Sequence, residues 1–163
     1  MQSSSKQFWP ILGKVYDPVS HAGGSNLLTV AFFHDNSKPL SVDEFLKDFV
    51  TEMCLLSEKG FNFVDQHYDI IVEGFSCDAP ARAFIKCVTS HTGYYGCEKC
   101  TQKGKYLDGK VTFPECGAVK RSDNDCLEQR QEEHHKAVSP LTRLPVGMVT
   151  GFPLTTCTWF VLG

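Results

Sequence analysis

From Ser90 to Lys136 the chain offers neither the 3.6-residue repeat of an amphipathic helix nor the alternation of a strand, and Gly, Lys, Tyr, Cys and His dominate instead. A connection of that length with no structure of its own is improbable inside a compact domain, so something other than an apolar core must hold it. Within it lies Cys97-Glu98-Lys99-Cys100, and two cysteines with two residues between them reach one metal ion from a tight turn. Tetrahedral zinc takes four N or S ligands, and further donors stand at Cys87, His91, Cys116, Cys126 and the pair His134-His135. Cys87, His91 and His135 make the preferred candidate set with Cys97 and Cys100. A redox dithiol, or a chance spacing among eight cysteines, is the alternative. No HExxH pattern couples ligands to a base, which argues for a structural rather than a catalytic zinc.

The flanking sequence is more orderly. Phe8 to Val15 is a short apolar run, and Leu27 to Phe33 reads as a buried strand. Ser41 and Glu44 form a capping box, after which Val42, Phe45, Leu46, Phe49, Val50, Met53 and Leu56 recur at helical spacing until Gly60. Phe61 to Val64 and Tyr68 to Phe75 read as a hairpin whose second strand runs toward Cys77-Asp78, and Ala79-Pro80-Ala81 opens a short helical stretch through Val88. Strand and helix alternate, which is an α/β pattern.

With 163 residues, 42% hydrophobic and 21% charged, the chain lies in the range of ordinary folded domains. The opening residues Met1 to Lys6 carry no apolar stretch of the kind a secretory signal needs, so the expected location is intracellular, nuclear or cytoplasmic. Leu144 to Gly163 is uncharged, but Pro145, Pro153 and several Gly and Thr argue against a membrane span. Net charge is −3 and unevenly spread. Arg82 to Arg121 holds eight Lys and Arg against three acids, which makes this stretch the one plausible polyanion-facing region, with a merely solvated face as the alternative.

Asp78 falls where a strand ends and a helix begins. Open α/β sheets place ligand-binding groups there, and a carboxylate at that point holds Mg²⁺ through oxygen. Asp is equally a favoured helix N-cap.

Several strings taken together resemble one family. Ser4-Ser5-Lys6-Gln7-Phe8-Trp9-Pro10-Ile11-Leu12-Gly13, Asn36-Ser37-Lys38-Pro39, Glu44-Phe45-Leu46, Cys77-Asp78-Ala79-Pro80-Ala81, Gly93-Tyr94-Tyr95-Gly96-Cys97-Glu98-Lys99-Cys100 and Val111-Thr112-Phe113-Pro114 are similar to animal transposable-element transposases. These are distantly similar to the plant CACTA (En/Spm) type, and the resemblance spans residues 3–154. It implies a partial RNase H-like α/β core over 1–89, a zinc-stapled, loop-rich insert over 90–136, and the start of a following core segment over 137–154. It also implies that Asp78 is the second metal-binding acid of a DDE/DDD triad, which with Mg²⁺ would act on DNA phosphodiesters.

Two departures from the family pattern bear on catalysis. The family's first acid lies on an opening strand upstream of the Ser-Ser-Lys-Gln-Phe-Trp-Pro segment, and Met1 stands just before that segment. The family sequence after Phe-Pro-Leu is commonly Asp-Tyr-Met-His-Leu-Val-Cys-Leu-Gly, whereas here Phe152-Pro153-Leu154 runs into Thr155-Thr156-Cys157-Thr158-Trp159-Phe160-Val161-Leu162-Gly163. Suitable codons for the family string, read after loss of one base, spell the tail found here, so 155–163 reads as frameshifted. The resulting expectation is an inactive transposase remnant, or a nuclear DNA- or protein-binding module using the basic region. A core short of its first strand is also expected to expose a sheet edge and to be marginally stable.

Overall fold

Ser41 sets the first long element. Its hydroxyl accepts a hydrogen bond from the Glu44 amide at 3.2 Å, which fixes the start of α1 (Val42–Lys59). Gly60 closes it at φ +58°, in the left-handed region that glycine enters without steric cost, and returns its amide to the Leu56 carbonyl. In this computed structural model the chain is described over residues 7–15, 27–153 and 160–162, the last three by backbone alone. Leu46, Phe49, Val50 and Met53 of α1 are buried, as the helical spacing predicts.

The fold is mixed α/β. Strands β1 (Gln7–Val15) and β2 (Leu27–Asp35) pair antiparallel, with an irregularity at Ile11/Leu12. The buried-strand expectation for Leu27–Phe33 is not met: β2 is the outer strand of its sheet, and Leu28, Val30 and Phe32 are exposed. The sheet has the order β2-β1-β8-β5, where β5 is Val72–Phe75 and β8 is Phe160–Leu162. β8 runs parallel to β1 and antiparallel to β5, so β1 and β5 point in opposite directions. The stretch expected as one long hairpin is divided. Val64 and Asp65 at positive φ close a small hairpin of β3 (Phe61–Phe63) and β4 (Gln66–Tyr68), and β5 leaves it to join the main sheet, where Val72 and Phe75 are buried.

The core is one apolar cluster to which distant segments contribute. Ile11 of β1, the buried face of α1, Phe75 and Ile85 meet Leu141, Leu144, Met148, Val149 and Phe152 from the far side of the insert. Phe75 stacks on Phe152 with centroids 5.2 Å apart and meets Phe49 edge-on at 6.2 Å. A 3₁₀ turn, Pro140–Arg143, lies against α1. Residues 137–153 thus complete the same core as β1 and α1. Among residues 155–163, expected to be frameshifted, 155–159 and 163 lie outside the described residues.

The insert has more regular structure than its composition predicts. β6 (Lys105–Leu107) and β7 (Lys110–Thr112) form a hairpin closed by Asp108 at φ +49° and Gly109 at φ +80°, the Asp-Gly pairing that a two-residue turn favours. Helix α3 (Asp123–Leu127) begins on a reciprocal capping box between Ser122 and Asp125. No described helix is long and apolar enough to cross a membrane.

Candidate functional site

Asp78 stands three residues beyond the end of β5 as the N-cap of α2 (Ala79–Ile85), and its Oδ1 accepts from the Ala81 amide at 2.8 Å. The carboxylate is exposed, with Ser76 and Cys77 buried behind it. Both sequence readings of Asp78 converge on one position, a strand end that is also a helix start, and its hydrogen bond is that of a cap.

Arg82 of α2 and Lys86, the residue that caps its C-terminal end, stand one helical turn apart and both face inward. Arg82 Nε donates to Glu98 Oε1 at 2.7 Å and Lys86 Nζ to Glu98 Oε2 at 2.6 Å. All three residues are buried, at 6%, 3% and 7% exposure. Burial by itself raises the pKa of the Glu98 carboxyl, but the Lys86 charge and the bonds from Arg82 and Lys86 hold it below the usual carboxylate range. Two cations against one anion leave a positive excess, and oxygen dipoles and a ring offset it. Arg82 Nη1 reaches the Cys77 carbonyl at 3.3 Å, and Lys86 Nζ sits 5.0 Å above the Phe152 ring.

Glu98 belongs to the CxxC turn, and so does the next anchor. Lys99 Nζ donates to the carbonyls of Val149 at 2.6 Å and Phe152 at 2.8 Å. The two residues between the cysteines therefore fasten the insert to α2 and to the segment that closes the core. Gly96 admits the close approach this needs, since a Cβ there would strike the carbonyl oxygens of Ser90 and Gly93. On the other side Arg121 donates from Nε to the Cys97 carbonyl at 3.0 Å, bonds Gln131 through Nη2, and gives its amide to the Lys99 carbonyl.

The cysteines themselves face one another, Sγ to Sγ 3.0 Å, and Gln102 Nε2 donates to Cys100 Sγ at 3.0 Å. Burial and the hydrogen bond to Cys100 push the Cys97 thiol up. Burial acts the same way on Cys100, but the bonds from Cys97 and Gln102 outweigh it and bring that thiol below its ordinary value. Cys77, by contrast, is pushed up to about 12 by burial.

The other expected ligands have surroundings of their own. His91 is exposed in the turn before the motif. Cys87, at φ +54°, gives its carbonyl to the Lys136 amide and is half-buried. His135 bridges to Val88 through the backbone, with its ring edge-on to fully buried His134. Cys116 is exposed, and Cys126 belongs to the apolar core. Among the described residues no group of three His, Cys, Asp or Glu side chains is placed to hold a metal ion. Cys97 and Cys100 thus face each other as two donors, where a closed zinc site takes four.

His134 is a further buried titratable group. Its Nδ1 lies 2.6 Å from the Tyr95 carbonyl, and burial lowers its pKa to about 4, with the Arg121 charge acting in the same direction. Among the described residues His134 Nε2 and His135 Nε2 are buried without a hydrogen-bond partner.

Sequence reading missed Arg82, Lys86, Glu98, Lys99 and Arg121 as internal groups. A signal was present for three of them: a Glu inside a CxxC, and two cations at i, i+4 on a predicted helix. Four of the eight basic residues in the Arg82–Arg121 stretch, together with Glu98, are spent holding the insert in place, and Lys103, Lys105, Lys110 and Lys120 remain exposed. Compared with protein-family models, with curated proteins and with solved structures, the chain matches none.

Proposed function

We propose that this chain is a portion of the catalytic core of a DDE-type DNA transposase, RNase H-like in plan, and that it does not cut DNA in the form this sequence gives. The observation that carries the reading is Asp78, an exposed carboxylate just past the end of β5, the position the resemblance assigns to the second metal-binding acid.

Phosphodiester attack by a two-ion centre needs several carboxylates around the metals. Asp78 has no such company among the described residues and uses Oδ1 to cap α2, so the donors present do not fit a two-Mg²⁺ site. The test is nicking of supercoiled plasmid with Mg²⁺ or Mn²⁺ by the full chain and by Asp78→Asn. Neither should convert plasmid above the protein-free control, and nicking that Asp78→Asn abolishes would overturn the reading.

A second reading, a nuclear DNA-binding module, draws on one observation: Lys103, Lys105, Lys110 and Lys120 are exposed on and beside the β6–β7 hairpin. Phosphate contacts from these side chains would make binding salt-dependent, and replacing all four by Gln would flatten the slope of log K against log salt by up to about 4. Duplex DNA that fails to bind even at low salt would dispose of it.

A further inference from the structure

The CxxC turn presents its two thiols to each other and to no third metal donor among the described residues. We infer that Cys97 and Cys100 form a redox-active dithiol, which closes to an intramolecular disulfide by exchange with a low-molecular-weight disulfide such as oxidised glutathione. The inference does not depend on the DNA reading, because it rests on the turn alone. Three features of that turn carry it.

The first is proximity. At 3.0 Å the sulfurs are about 1 Å from bonding distance, and only Glu98 and Lys99 separate Cys97 from Cys100, so the second exchange step is intramolecular. The second is polarity. The Gln102 amide donates to Cys100 Sγ, and Gln102 is itself fixed by its Oε1 accepting from the Glu115 amide at 2.9 Å. A donor held on that sulfur stabilises the anion that attacks. The third is support. Glu98 on Arg82 and Lys86, Lys99 on the carbonyls of 149 and 152, and Arg121 on the Cys97 carbonyl hold the turn from both sides.

The exchange balances as follows. The Cys100 thiolate attacks one sulfur of glutathione disulfide, the S–S bond breaks, and one glutathione leaves as thiolate. The Cys97 thiolate then attacks Cys100 Sγ in the mixed disulfide and expels the second glutathione. The protein loses two electrons and two protons, and both pairs end on two molecules of reduced glutathione. Glu98 and Lys99 lie inside the ring so formed, which places the oxidised bond directly across the residues that dock the insert.

The test equilibrates the full chain in glutathione buffers of increasing oxidised fraction, then quenches, alkylates and maps by mass spectrometry. The expected product is a bond between Cys97 and Cys100, seen as two tryptic peptides joined across the cut after Lys99. Cys87 shares a tryptic peptide with Cys97, so Cys87→Ser must keep the joined pair. Cys97→Ser should stop at a glutathione adduct on Cys100, forming faster than the adduct on Cys97 in Cys100→Ser. Mapping of the wild-type chain and Cys87→Ser decides the bond even if the other variants do not fold. Three results would each overturn the inference: both thiols staying free across the series, adducts forming at Cys116 alone, or one zinc per chain that Cys97→Ser and Cys100→Ser both release.

Discussion

The α1 side of the molecule and the insert are held together by opposite means. The segments around α1 bury Leu46, Phe49, Val50, Phe75, Leu141 and Phe152, all apolar. Between Ser90 and Lys136 the buried side chains include Glu98, Arg121 and His134, and Cys126 is the one that joins the apolar core. Burying apolar surface stabilises wherever the surface is placed, at roughly 25 cal/mol per Å². Buried charge stabilises only where each partner is in place, because an unpaired ion in a low-dielectric interior is expensive. The insert therefore depends on specific pairs of residues in a way that the core does not.

The largest effect should come from removing the shared anion. Glu98→Ala strands Arg82 and Lys86 and should cost about 3–5 kcal/mol in urea unfolding. Exchanging the whole set, Glu98→Leu with Arg82→Met and Lys86→Met, should recover most of that loss or exceed the wild type. If Glu98→Ala is near neutral, the contrast between the two regions is wrong.

Acid should separate the regions next. In the unfolded chain the His134 imidazole protonates near 6.5, but in the folded protein only near 4. The unfolded state thus binds more protons between those values, and stability falls as pH drops through that window, by about 3 kcal/mol when complete. A His134→Leu variant should lack this contribution, and a wild type whose unfolding free energy is flat from pH 7 to 4 would show that the histidine is not held neutral.

The smallest effect is the one composition would have placed first. Replacing Lys103, Lys105, Lys110 and Lys120 by Gln should move stability within about 0.5 kcal/mol for each substitution, because all four side chains are exposed. Lys99→Met, chemically as mild, removes two bonds to carbonyls in the core-closing segment and should cost clearly more in the same unfolding assay.

α1 was legible because periodicity, cap and Gly60 all point one way, and local signals of that kind survive any tertiary arrangement. Asp78 was legible as a position, a strand end and a helix start. The hairpin at Asp108-Gly109 was legible as well and was passed over, since the surrounding Lys and Tyr hide the turn signal. The burial of β2 was misread because an apolar run looks the same on an outer strand as on an inner one. Cys87 and His91 were chosen by nearness in sequence and His135 as a group the fold could bring in, and among the described residues no three such donors are grouped to hold a metal ion.

By itself the sequence determined the mixed α/β pattern, the helix and its ends, the place of Asp78, and that the segment after Ser90 needs a fastening that apolar packing does not supply. Tertiary structure alone decided what the fastening is. A lysine reads as the same charge whether it faces water or a buried carboxylate, and only the approach of α2 and residues 149–152 to the CxxC turn turns Glu98 and Lys99 inward. Periodicity reports which side of an element is apolar; pairing between residues distant in the chain leaves no local signal to read.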